Sequence, residues 1–194
     1  MNRREFLGLS SAAALAVLYP GATASALAGL AHSAEGTLVV ADPRYSDSLI
    51  FARALGNRGA SVFSIKEGLA GVWFDDLAPR LAAGRHKLAG LTLESELFVL
   101  ERLAESCDMR PCYVGRHDWR AKPDSQHLLR GSIGIDTIAQ ALASGGELWA
   151  ATTADGLTSA AVDAAWRERT ISVDLAPASD SPRFLVSWMM APSS

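Results

Sequence analysis

The chain has 194 residues, 49% of them hydrophobic, two cysteines and a formal net charge of −3. A mildly acidic balance with scattered charges excludes the basic footprint of a nucleic-acid binder. No basic amphipathic stretch argues for a membrane surface, and the one contiguous apolar run, Leu9 to Leu18, is about half the length of a spanning helix.

In chain order the first stretch is Met1-Asn2-Arg3-Arg4-Glu5-Phe6-Leu7. Arg3 and Arg4 make a positive leader, Leu9 to Leu18 an apolar segment, and Pro20, Gly21 and small residues follow. This is the layout of a cleavable export signal. Its apolar residues are contiguous rather than spaced for one helical face. Small-residue cleavage motifs end at Ala24, Ala26 and Ala28, and the sequence does not choose among them.

Arg3, Arg4, Phe6 and Leu7 resemble the twin-arginine (Tat) signal family, over residues 1–26 only. Gly8 stands where the family often carries Lys, which leaves the general secretory route as the alternative. The resemblance implies carriage by the Tat translocase, already folded and often with a cofactor or partner, followed by signal cleavage and release into the periplasm. The mature chain would lose two Arg and one Glu with the signal, moving its net charge from −3 to −4. It would have no stable membrane insertion. The expected organisation is a signal at 1–26, a flexible leader at 27–36 and a single domain at 37–194.

Within that domain, Thr37–Ala41 (TLVVA) predicts a buried strand closed by Asp42-Pro43. Ser46 is placed to cap a helix that ends near Gly59. Residues 61–65 form a second strand, and Asp76 with Pro79 suggests a short helix ending at Gly84. Residues 87–93 form a third strand, and 94–106 the clearest amphipathic helix. Residues 111–115 form a fourth strand, 121–131 a polar loop and 135–142 another helix. A strand at 147–152 and a helix from Thr158 to Trp166 follow. Strands at 170–175 and 183–190 then suggest a terminal antiparallel hairpin. The alternation predicts an α/β three-layer sandwich with a mainly parallel sheet, flavodoxin-like or Rossmann-like, edged by that hairpin.

No dinucleotide loop, P-loop, nucleophile elbow or zincin motif is present. Gly131-Ser132-Ile133-Gly134 is an ordinary helix-entry turn. The sequence shows no ligand set for haem, iron–sulfur or zinc, so no cofactor and no metal are expected. Cys107 and Cys112 are placed either to bridge in an oxidising compartment or to remain as two free thiols beside a helix-to-strand turn.

The chemistry is therefore sought at the carboxyl ends of the parallel strands, where open α/β sheets bind ligands. These ends carry Asp42, Arg44 and Tyr45; Lys66 and Glu67; Thr92 and Glu94; and Arg116, His117 and Asp118. Asp42 is expected to orient His117 as an acid or base. Asp118 only neighbours His117 in sequence. Arg44 and Arg116 are expected to hold an anion at the helix N-terminus after Ser46, with Trp119 walling the pocket. His127 has no evident role. Trp188, Met189 and Met190 are either core or a partner surface. The functional expectation is a non-catalytic accessory subunit or ligand-binding module beside another exported, redox-type protein. The alternative is a small enzyme built on Asp42, Arg44 and His117.

Overall fold

Thr37–Ala41 is apolar at nearly every position, and all five residues are buried. In the computed structural model, which describes residues 34–119, 125–160, 162–173, 175 and 177–193, this segment is β1. The export signal and the leader through residue 33 lie outside the described residues. Strand β1 pairs in parallel with β2 (Ser61–Ser64) on one side and β3 (Lys87–Thr92) on the other. Helix α1 (Ser46–Gly56) joins β1 to β2. From β2 the chain returns to β3 through α2 (Leu69–Val72), a π turn (Trp73–Leu77) and α3 (Ala78–Ala83). Asp76 lies within the π turn rather than capping a helix, while Pro79 occupies the first turn of α3 as expected.

The parallel arrangement stops at β3. Helix α4 (Glu94–Glu105) leads to β4 (Met109–Asp118), which does not sit beside β3. The last strand, β7 (Phe184–Pro192), inserts between them, antiparallel to both. Strands β5 (Ser125–Ile133) and β6 (Val162–Val173) add antiparallel beyond β4. The seven-stranded order is β2-β1-β3-β7-β4-β5-β6. The expected mainly parallel, flavodoxin-like or Rossmann-like sheet is therefore corrected to a mixed, mostly antiparallel one.

The terminal hairpin does not form either, because β6 is an edge strand and β7 a central one. Burial explains the choice. Leu185 to Met190 are all buried, so this nearly continuous apolar run needs cover on both faces. Ala165 to Thr170 are all exposed, which suits an edge.

Two further corrections follow from hydrophobic spacing. Residues 147–166 do not form a strand and then a helix. A 3₁₀ turn (Gly146–Leu148) leads into α6 (Trp149–Ser159), and β6 begins soon after. Trp149, Ala150, Thr153, Ala154 and Leu157 are buried on one face of α6, at helical spacing. Residues 125–131 are strand rather than loop. Their burial alternates, but Ser125 and His127 hold inward positions, so the alternation is not one of hydrophobicity.

Helices cover both faces, giving three layers. On one face Phe51 and Leu55 of α1 pack with Ile138 and Leu142 of α5 (Ile135–Gly145) and Trp149 of α6, over Val39, Tyr113 and Leu185. On the other, Trp73, Leu77, Leu81, Leu97 and Leu100 pack over Val40, Val186 and Trp188. Trp188, Met189 and Met190 are thus core. Cys107 and Cys112 are free thiols that pack with opposite faces of the sheet, which accounts for their not bridging. Among the described residues no helix is long and apolar enough to cross a membrane.

Candidate functional site

Strands β3 and β4 both run antiparallel to β7, so their carboxyl ends share one rim with that of β1. The expected rim exists, but its residues pair differently. Asp42 and His117 lie on strands separated by β3 and β7, about 14 Å apart at the usual strand spacing. They do not form an acid–base pair.

Asp42 is fully buried and accepts from the Arg44 side chain at Oδ1 (2.9 Å) and Oδ2 (2.6 Å). Arg44 also bonds Glu96 at 2.8 Å and lies over the Tyr45 ring. Arg116 pairs with Glu94 at 2.6 Å. Both arginines are thereby neutralised by carboxylates at or near the start of α4, and the expected anion clamp is absent. The helix end itself is filled from within the chain. Ser46 is the first residue of α1 rather than its cap, and it donates from its N–H (3.1 Å) and Oγ (2.6 Å) to Asp180. A carboxylate there complements the helix dipole, and these hydrogen bonds hold its pKa below the usual range. The buried Asp47 accepts from Ala178 N–H and Ser181 Oγ, pinning the same loop. Thr92 is buried, accepts from Trp188 Nε1 at 3.0 Å and donates to the Leu93 carbonyl.

His117 belongs to a different assembly, formed on the inward face of β4, β5 and β7. Tyr113 Oη lies 3.0 Å from Ser187 Oγ, and Ser187 Oγ 2.8 Å from His117 Nε2. His117 Nδ1 lies 2.9 Å from His127 Nδ1, and His127 Nε2 lies 2.8 Å from Ser125 Oγ. Ser125 donates onward to the Val173 carbonyl at 2.5 Å. That last bond fixes the rest. Ser125 spends its only proton on Val173, so it accepts from His127 Nε2–H. His127 Nδ1 then accepts from His117 Nδ1–H, His117 Nε2 accepts from Ser187, and Ser187 accepts from Tyr113. The wire is one-directional, neutral and satisfied at every member.

Its surroundings keep it neutral. His117, His127 and Ser187 have 0% exposure. Burial, and secondarily the charge of His127, hold the His117 pKa well below its ordinary value. Burial lowers His127 to about 4, against an opposing pull from Asp118. Tyr113 is pushed up by burial, partly offset by its bond to Ser187, so it remains a donor. Trp149 stacks obliquely 4.8 Å from His117, and the half-buried Trp119 lies 5.1 Å from Trp149. Both indole N–H groups are buried, with no hydrogen-bond partner among the described residues.

Ser187, His117 and His127 have the connectivity of nucleophile, base and orienting group. The arrangement nonetheless lies in the interior of a central strand. A substrate carbonyl has no approach to Ser187 Oγ, which is enclosed by Tyr113 and the Gly115 backbone. His127, Ser125, Ser187 and Tyr113 were not identifiable as a group from sequence. The only signal was inward polar positions in alternation with exposed ones, which a strand assignment at 125–131 would have exposed. Among the described residues no group of three or more His, Cys, Asp or Glu could hold a metal ion.

Comparison of the chain with protein-family models, curated proteins and solved structures finds no match.

Proposed function

We propose that this chain is a twin-arginine-exported periplasmic accessory subunit, non-catalytic, which docks on another exported protein of redox type. The observation that carries the reading is a seam of exposed aromatics among charged residues, between α4 and the outer face of β4–β6. Phe98 is 63% and Trp166 51% exposed, and with Leu97 and Val114 they line a cavity of about 240 Å³. Gln126, Arg130, Glu168 and Thr170 extend that face, all exposed. Large aromatics flanked by polar residues make a surface suited to a protein partner. The competing enzyme on Asp42, Arg44 and His117 gains no support, since the two arginines of the rim are neutralised and His117 is enclosed. No cofactor is invoked for this chain.

The test is site-directed photo-crosslinking in the periplasm. A crosslinker in place of Trp166 is expected to trap one larger exported protein, while one at Glu147 does not. Equal yields from both positions would sink the docking reading. Export is tested separately. Arg3→Lys with Arg4→Lys is expected to empty the periplasmic fraction of mature chain, and undiminished export would assign it to the general secretory route.

A further inference from the structure

We propose that a second cavity, at the end of the sheet opposite the strand-end rim, binds a small amphipathic carboxylate. The cavity measures about 280 Å³, near the lower end of the range for ligand pockets. It opens between the starts of β3 and β4 and the ends of β5, β7 and α6. Ile133, Leu157 and Met189 supply its apolar wall, and Lys87 and Arg110 stand at it as cations. Among the described residues no carboxylate lines it.

What sets the two cations apart is that they share one concave, apolar-walled cavity. The chain carries a net charge of −3, and Arg44, Arg58, Arg102, Arg116, Arg130 and Arg169 are all ion-paired. Among the described residues neither Lys87 nor Arg110 has a carboxylate partner, and Arg110 spends one N–H on the Met109 carbonyl at 2.9 Å. Cys112 lines the same cavity and donates to the Met189 carbonyl at 3.4 Å. Its burial pushes the thiol pKa up, so it adds no competing negative charge. Two uncompensated cations over an apolar wall fit a ligand with one carboxylate and a short hydrocarbon or aromatic body. Inorganic anions lack the body, and neutral lipids lack the charge. The site stands apart from the docking seam. Its wall belongs to the core on one face of the sheet, and the seam to the core on the other.

Cys112 provides the readout. In the full chain carrying Cys107→Ser, octanoate is expected to bind by calorimetry and to slow alkylation of Cys112 by iodoacetamide. Octanamide and inorganic phosphate are expected to do neither. Lys87→Gln with Arg110→Gln is expected to weaken octanoate binding at least about tenfold, the scale of one charge-assisted hydrogen bond, with the melting temperature unchanged. Equal protection by octanamide, equal protection by phosphate, or octanoate binding that survives the double substitution would each overturn the proposal. So would no octanoate binding at millimolar concentration.

Discussion

Lowering the pH from 6.5 to 4 is expected to destabilise the folded chain by about 3 kcal/mol through His127 alone, with a further loss through His117. Both histidines have folded-state pKa values below the ordinary 6.5. In this window the unfolded chain therefore binds more protons than the folded one. Stability from the pair is complete above pH 6.5 and is lost as pH falls toward 4. The wire adds a reason beyond burial. A proton added to either ring turns an acceptor nitrogen into a donor. One arm of the wire must then reverse, and reversing the arm through Ser187 leaves the Tyr113 hydroxyl proton without an acceptor within the wire. Urea unfolding at pH 7, 5.5 and 4.5 measures the slope. His127→Phe is expected to flatten it, and an equal slope in that variant would refute the assignment. Should the variant fail to fold, the ring resonances of the native chain serve instead, because a titration of both histidines near 6.5 is incompatible with this network.

Gly115→Ala is expected to cost about 3 kcal/mol, combining an overpacked core with a displaced buried hydrogen bond. An added Cβ would stand 2.7 Å from Ser187 Oγ and 2.9 Å from Tyr113 Cζ, closer still to the Tyr113 hydroxyl. One of these groups must move, and both are confined in the interior of the sheet. In a domain of this size the melting temperature should fall by about 6–12 °C. Gly71→Ala is the control. Its Cβ would meet only Asp75 Oδ2 at 3.9 Å, and relief of helix-interior glycine should leave stability unchanged or raise it by about 0.5–1 kcal/mol. Calorimetry on the two variants separates the cases, and similar melting temperatures for both would show that the Tyr113–Ser187 contact is not tightly enclosed.

These two results rest on a cluster that linear sequence conceals in a definite way. His127 and Ser125 face inward on an alternating strand, yet hydropathy marks them as loop residues. Their burial is affordable only because His117 and Ser187, on two other strands, complete their hydrogen bonds. No local window contains that compensation. The pairing at the rim is concealed for a related reason. Asp42, Arg44 and Arg116 do stand at strand ends, but Glu96 and Glu94 of α4 reach the two arginines, and Asp180 occupies the start of α1 through Ser46, which leaves no vacancy for an anion.

What the sequence determined by itself is the local and short-range part of the molecule. The β1–α1–β2 unit, β3, α4 and α5 follow from apolar runs and helical stripes, because the period that marks each element is complete within its own segment, whatever the element later packs against. The sheet order and the buried wire belong to tertiary structure alone. Strand β7 takes the centre because a segment buried from Leu185 to Met190 must be covered on both faces, and the gap between β3 and β4 is where such cover exists. Its arrival brings Ser187 against His117, which turns isolated polar residues into one satisfied network.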